Sequence, residues 1–229
     1  MKLEAQGICR DYFRNGRDTN LFRAVHETDF SLEDGSLTEI TGRSGSGKTT
    51  FTNMLAGLLV PSEGTVMLGD DDLYSMDDDS RSVIRNKSIG IIPQGQTGLQ
   101  SLTVLENVLA PAWMYAGSNF DQAAAEEKAR SLLEAVGIED LGEVYSNELS
   151  GGELRRMSIA RSMINDPDII IADEPTADLD DETTAIVLGM LKDYTRSGHS
   201  VLMVTHEKEA ADYADHIYRM DAGRLTEIR

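Results

Sequence analysis

The sequence predicts an α/β fold: a mostly parallel sheet, with an α-helical block inserted into it. Three observations carry that expectation. Strand-like runs alternate with helical patterns along most of the chain, the order that builds parallel sheets. One run, DIIIAD (168–173), is short, continuous and β-branched, so it reads as a strand buried on both faces. Between Gln94 and Asp166 the texture turns helical, which marks an insertion and not a separate domain.

The elements follow in order. The first forty residues read as short strands: LEAQGICRDYF, FRAVHETDFSL and, after a turn at Glu33-Asp34-Gly35, SLTEITG. KTTFTNMLAGLL then reads as a helix stopped by Pro61. A turn at Ser62-Glu63-Gly64 leads into the strand TVMLG. The acidic runs Asp70–Asp72 and Asp77–Asp79 flank a short segment and read as solvated loops and helix starts, not metal sites. SIGIIPQ reads as a buried strand. The helical block comprises TVLENVLAPAWMY, FDQAAAEEKARSLLEAVG and GGELRRMSIARSMI, the second filled with good helix formers. After DIIIAD come a helix from about Asp181 to Ser197, the strand SVLMVTH, another helix, and a terminal hairpin around Asp221-Ala222-Gly223.

Composition narrows the function. Apolar residues make up 40% of the 229, enough for a sizeable core. The 40 acidic and 21 basic side chains give a net charge of −19. Clustered Lys and Arg read a nucleic-acid backbone, so this repulsion argues against a nucleic-acid partner. Cys9 is the single cysteine; it suits a reducing compartment and reads as a small packed side chain. The N-terminal stretch MKLEAQGICRDYF lacks the apolar core of a signal peptide, and the weakly polar stretch near Val108–Gly117 is too short to cross a bilayer. The expected location is the cytoplasm, with docking on a membrane still open.

GRSGSGKT (42–49) fits G-x-x-x-x-G-K-[ST], and it follows a strand and opens a helix, the context a P-loop needs. Glycines let the backbone turn its N–H groups toward phosphate oxygens, and the helix N-terminus adds partial positive charge. Lys48 would bridge β- and γ-phosphates and the Thr49 hydroxyl would bind Mg²⁺. IIIADEPT supplies the carboxylates: Asp173 to hold the metal through water, Glu174 one residue further on to polarise the attacking water. Gln94 closes SIGIIPQ and His206 closes SVLMVTH; ligands of parallel sheets bind outside such strand ends. Gln94 could contact Mg²⁺ or the attacking water, and His206 the γ-phosphate.

GRSGSGKTT, Gln94, LSGGE, IIIADEPT, ADLD and VTHE occur in the order found in ABC-type ATPases, and the resemblance runs from about Leu3 to Ile228. It implies a single ATPase domain over 1–229, with a P-loop NTPase core and an N-terminal antiparallel β subdomain in 1–94 and 166–229 and an inserted α-helical subdomain carrying the signature in 95–165. Gly42, Ser44, Gly45, Ser46, Gly47, Lys48, Thr49 and Thr50 match the phosphate loop, Gln94 the Q-loop, and Ser150 to Glu153, with Gly151 and Gly152, the signature. Asp173 and Glu174 match the acidic strand end, Asp180 the D-loop aspartate and His206 the switch histidine. Tyr12 looks like the aromatic residue that stacks on adenine, with Phe13 next to it as the alternative. The resemblance further implies ATP and Mg²⁺ as ligands and a homodimer packed head to tail, in which the signature of one copy closes over the ATP of the other. LSGGE, with Glu153 where many relatives have Gln, SLTVLENV and the C-terminal stretch look most like the lipoprotein-release, macrolide-export and antimicrobial-peptide-resistance branch.

The expected function is the ATP-hydrolysing subunit of a transporter, working with a separate integral membrane permease in export or extraction of lipoprotein, peptide or drug, and bound peripherally to the inner face of the cell membrane. The alternative is a permease-linked regulatory ATPase acting on cell-wall or division machinery without transport. A soluble ATPase for assembly or nucleic-acid work fits less well, given the acidity and the single nucleotide unit. The segment from Gln96 to Phe120, with Trp113, Leu105, Val108, Leu109 and Met114, is the expected permease contact; internal packing is the competing reading for most of these side chains.

Overall fold

The computed structural model describes residues 1–13, 21–95, 98–117 and 120–229. Four strands, β1 (Leu3–Phe13), β2 (Leu21–Leu32), β4 (Glu63–Leu68) and β5 (Asp71–Asp72), form an antiparallel sheet in the order β2-β1-β4-β5. A second sheet runs β10-β9-β3-β8-β7-β6, from β3 (Leu37–Thr41), β6 (Ile89–Ile92), β7 (Ile169–Asp173), β8 (Ser200–Val204), β9 (His216–Asp221) and β10 (Arg224–Glu227). Its strands are parallel except β10, which returns antiparallel on β9. This is the expected α/β architecture, with the N-terminal antiparallel sheet beside a mostly parallel one.

Helix α1 (Lys48–Leu55) lies between the two sheets. Its Phe51, Met54 and Leu55 share a core with Leu3, Ile8, Val66 and Leu68 of the antiparallel sheet and with Ile40, Ile169, Ile171 and Leu202 of the parallel one. Phe30 stands edge-on to both Phe51 and Tyr218, at centroid distances of 5.5 and 5.4 Å. Ile170 and Ala172 point the other way, into a second core with α3 (Val104–Met114), α4 (Gln122–Ala135), α5 (Gly151–Met163) and α6 (Asp181–Arg196). Every residue of β7 and β8 is buried, because a central parallel strand has apolar neighbours on both faces. The two-residue alternation of a strand thus sends Ile169 and Ile171 to one core and Ile170 and Ala172 to the other.

Several boundaries differ from expectation, each with a local cause. α1 stops at Leu55 and does not run to Leu59: Gly57 sits at φ 69°, and the N–H groups of Leu58 and Leu59 both turn back to the Asn53 carbonyl. In line with its reading as a helix start, the acidic run at Asp77–Asp79 opens α2 (Asp78–Ser88), whose N-cap Asp77 accepts from the Ser80 N–H at 2.7 Å. The helix expected after β8 is only a short 3₁₀ turn, Glu209–Asp212. No side chain caps it, and Asp215 is already tied to β3 through Leu37, leaving too few residues for a full helix. The terminal hairpin turns on Ala222 and Gly223, both at positive φ (44° and 76°), which suits a two-residue turn between twisted strands. Cys9 is buried and free. No helix among the described residues is long and apolar enough to cross a membrane.

Candidate active site

β3 ends at Thr41 and the chain turns through Gly42–Gly47 into α1. Two glycines here are imposed by packing. A Cβ on Gly42 would lie 2.2 Å from the Met220 carbonyl oxygen, and one on Gly47 2.5 Å from that of Ala24. Both sit at positive φ, 152° and 108°. The loop is pinned by Gly223 N–H donating to the Ser46 carbonyl at 2.8 Å. Helices α2 to α6 are each capped by a side chain, from Asp77, Thr103, Asp121, Ser150 and Asp180. α1 has Gly47 at its N-cap and no side-chain cap. Its first-turn N–H groups therefore lack both intrahelical and capping acceptors, at the positive end of the helix. The Ser46 hydroxyl is buried without a partner. Lys48 folds back, donating through Nζ to the carbonyls of Gly42 (2.7 Å) and Arg43 (3.1 Å).

The carboxylates arrive on β7. The Thr49 hydroxyl donates to Asp173 Oδ2 at 2.6 Å, joining the start of α1 to the end of the strand. Burial pushes the Asp173 carboxyl up, opposed by that hydrogen bond and by the charge of Lys48. Glu174 has left the strand at φ 54°, a left-handed conformation that costs a non-glycine residue about 1–3 kcal/mol. Its N–H is held by the Val204 carbonyl at 2.8 Å. Its side chain turns toward His206, whose Nδ1 lies 3.0 and 2.9 Å from the two carboxylate oxygens. The hydrogen bond to Glu174 and its charge raise the His206 pKa above 6.5. A second link joins the same two turns: the Thr176 hydroxyl donates to Glu207 Oε2 at 2.5 Å.

A cleft of about 690 Å³ opens over these groups. Gly42, Ser44, Gly45, Gly47, Lys48, Thr49, Thr50, Gln94, Asp173, Glu174, His206 and Tyr12 all line it. Gln94 and His206 stand two residues past the last residues of β6 and β8, not at them, which brings their side chains over the sheet edge. Of the two aromatic alternatives, Tyr12 lines the cleft while Phe13 is 84% exposed and lies outside it. Arg10 stacks its guanidinium 4.9 Å from the Tyr12 ring centroid.

Phe22, Ala24 and Arg43 also line the cleft and were not among the sequence candidates. Phe22 pairs directly with Tyr12 across β1 and β2. Only the register of that hairpin, which carries several irregularities, could have revealed it.

Ser46 is buried beneath the loop and does not line the cleft. Neither do Ser150, Gly151, Gly152 and Asp180. Ser150 caps α5 in a reciprocal box with Glu153, whose Oε2 accepts from the Ser150 hydroxyl and N–H, both at 2.7 Å. Those bonds hold the Glu153 carboxyl below the usual range. Asp180 caps α6 through Thr183 N–H at 2.8 Å. The cleft thus offers an uncapped helix end and a lysine for a polyanion. It also holds hydroxyl, carboxylate and amide oxygens that suit a hard divalent cation, and a carboxylate paired with an imidazole.

Comparison with known proteins agrees with this geometry. A family model described as ABC transporter matches residues 25–177. The lipoprotein-releasing system ATP-binding protein LolD 2 of Rhodopirellula baltica is 36% identical over 227 residues, covering 97% of this chain and 88% of that protein. The macrolide export ATP-binding/permease protein MacB of a Shewanella species is 35% identical over 221 residues, covering 96% of this chain and 33% of that protein. The dimeric structure of an ATP-binding cassette in a post-hydrolysis state with ADP and Pi superposes with a TM-score of 0.92 at 29% identity, covering 99% of both chains.

Proposed function

The chain belongs to the ABC transporter family as an ATP-binding ATPase subunit of the LolD and MacB type, and on that premise we propose how its residues act and what they drive. Two copies pack head to tail around two ATP and power a separate integral membrane permease from the cytoplasmic face. The work is release or export of a lipoprotein, peptide or drug; relatives are named for lipoprotein release and for macrolide export.

The observation that carries the dimer is a division within the chain. The cleft gathers the phosphate loop, Asp173, Glu174, Gln94 and His206, yet the glycine-rich start of α5 is not part of it. That glycine-rich helix start stands outside its own cleft, and a second copy would use it. One cassette of this fold, 29% identical to this chain, is described as dimeric in two solved structures.

Within each site the phosphate-loop N–H groups and Lys48 hold the β- and γ-phosphates. Tyr12, with Phe22 beside it, stacks on the adenine, a contact of about 1–3 kcal/mol. Thr49, Asp173 and Gln94 would hold Mg²⁺ through their oxygens, and the chemistry it would supply there is screening of charge on the phosphate oxygens. Glu174 takes the proton of the attacking water, and His206 donates to the γ-phosphate. Asp180, at the start of α6, meets the partner's site.

The permease contact narrows to a few side chains. Leu105, Val108 and Leu109 are buried in the helical core, and Trp113 packs against it with its Nε1 on Gln122. Leu99, Met114 and Tyr115 are exposed and form the candidate contact. Gln96, Thr97, Ser118 and Asn119 lie outside the described residues.

The test is to purify tagged Glu174→Gln from its own membranes with ATP and Mg²⁺. A stable dimer bound in fixed ratio to a multi-pass membrane protein is expected. A chain that stays monomeric and free of membrane protein overturns the reading. Replacing Met114 and Leu99 by Glu should then release the chain from membranes while ATP binding persists; unchanged association removes the docking assignment.

A further inference from the structure

Arg155 lies on the second turn of α5 and is only 2% exposed. Its guanidinium closes like a fork on two successive carbonyls of the turn after β6: Nη1 donates to Pro93 at 2.6 Å and Nη2 to Gln94 at 2.7 Å. Its Nε is buried without a partner. Burial pushes its pKa down, and the charges of Asp178, Asp173 and Glu174 oppose that shift. Burying a guanidinium is costly unless donors are paired, and here the two paired ones, Nη1 and Nη2, grip the backbone of one turn. A planar fork also fixes both distance and direction, which the point charge of a lysine does not.

The two ends of this contact serve different sites. Gln94 lines the chain's own cleft. Ser150, Gly151 and Gly152 open the helix that carries Arg155, about one and a half turns away along a rigid rod. We propose that Arg155 is a positioning residue that ties the Gln94 turn to the signature helix, so that the half-site the chain keeps and the half-site it lends to its partner move as one body. This rests on the composite-site reading above. Simple core filling does not account for the fork, since an apolar side chain would fill the same space without a buried charge.

The experiment is a double-mutant cycle on ATPase kinetics in the full chain, with Gln94→Ala, Arg155→Gln and the pair together. Arg155→Gln should lower kcat about tenfold or more while KM for ATP stays within about threefold, because the phosphate loop and Tyr12 are untouched. In the double variant Arg155→Gln should add almost nothing to the loss from Gln94→Ala, since both act through one side chain. Parental kcat in Arg155→Gln, or losses that multiply, overturns the proposal; multiplication is how an unrelated structural defect behaves. If Arg155→Gln does not fold, Arg155→Lys keeps the buried cation with at most one carbonyl held, and the same cycle applies to it. A parental rate in Gln94→Ala alone instead removes Gln94 from the ATP site, and the tie loses its purpose with it.

Discussion

The imidazole Nδ1 of His206 sits 2.9 and 3.0 Å from the two oxygens of Glu174, so the candidate base and the candidate phosphate ligand occupy each other. Lys48 is engaged in the same way, donating to Gly42 and Arg43 carbonyls. Lys48 and His206, which the proposed mechanism directs at phosphate, are thus both held by acceptors of their own chain. On that mechanism phosphate takes the place of these acceptors and frees Glu174 for water.

The pairing predicts a titration. Glu174 raises the His206 pKa above 6.5 through the hydrogen bond and its charge, Glu207 adds to it, and Lys48 opposes. A raised folded value means the pair stabilises fully below about pH 6.5 and is lost as pH rises through the raised value. His206 is largely exposed, so the stability change is small and NMR of the ring protons is the better probe. In Glu174→Gln the midpoint should fall toward 6.5. An unmoved midpoint refutes the pairing in solution.

Glu174→Gln should bind ATP and turn it over at least about 10²-fold more slowly, the range for loss of a general base. The amide keeps the shape and removes the basic oxygen. ATP-dependent dimers should accumulate and show by sizing. Near-parental turnover takes Glu174 out of the role of base.

The division between cleft and signature predicts complementation. Lys48→Ala and Ser150→Arg should each be nearly inactive as homodimers. In a mixed dimer one site combines both defects, while the other pairs an unaltered Lys48 with an unaltered Ser150. With mixed dimers isolated through two different tags, part of the ATPase activity should return. No recovery means that α5 does not serve the partner.

The glycines of the phosphate loop and of α6 should respond in opposite directions. Gly42→Ala drives a Cβ to 2.2 Å from the Met220 carbonyl, a backbone atom that cannot rotate away. It should cost at least about 1–3 kcal/mol in denaturant unfolding and weaken nucleotide binding. Gly189, inside α6, has nothing within 4 Å of its Cβ direction. Gly189→Ala should stabilise by about 0.4–1 kcal/mol by restricting the unfolded chain. A stable Gly42→Ala would show that the loop is less tightly pinned than its packing implies.

The sequence by itself determined the phosphate loop, the acidic strand end and the alternation of strands and helices. Those features are local. A glycine that must take positive φ, a lysine one residue further on, or a run of isoleucines bounded by Asp168 and Asp173 states its requirement within a few neighbouring residues. Tertiary structure decided what depends on register and on distant partners. Tyr12 and Phe13 differ by one strand residue and so face opposite ways, and only the β1–β2 pairing brings Phe22 beside Tyr12. Helical periodicity marked Leu105, Val108, Leu109 and Met114 alike as apolar, but packing buries the first three and leaves Met114 exposed. Nothing local in LSGGELRR separates Arg155 from Arg156; that Arg155 is buried and holds Pro93 and Gln94, some sixty residues earlier, follows from the packing of α5 against the turn after β6. A side chain's partner across that distance is fixed by the three-dimensional fold, because no local propensity encodes it.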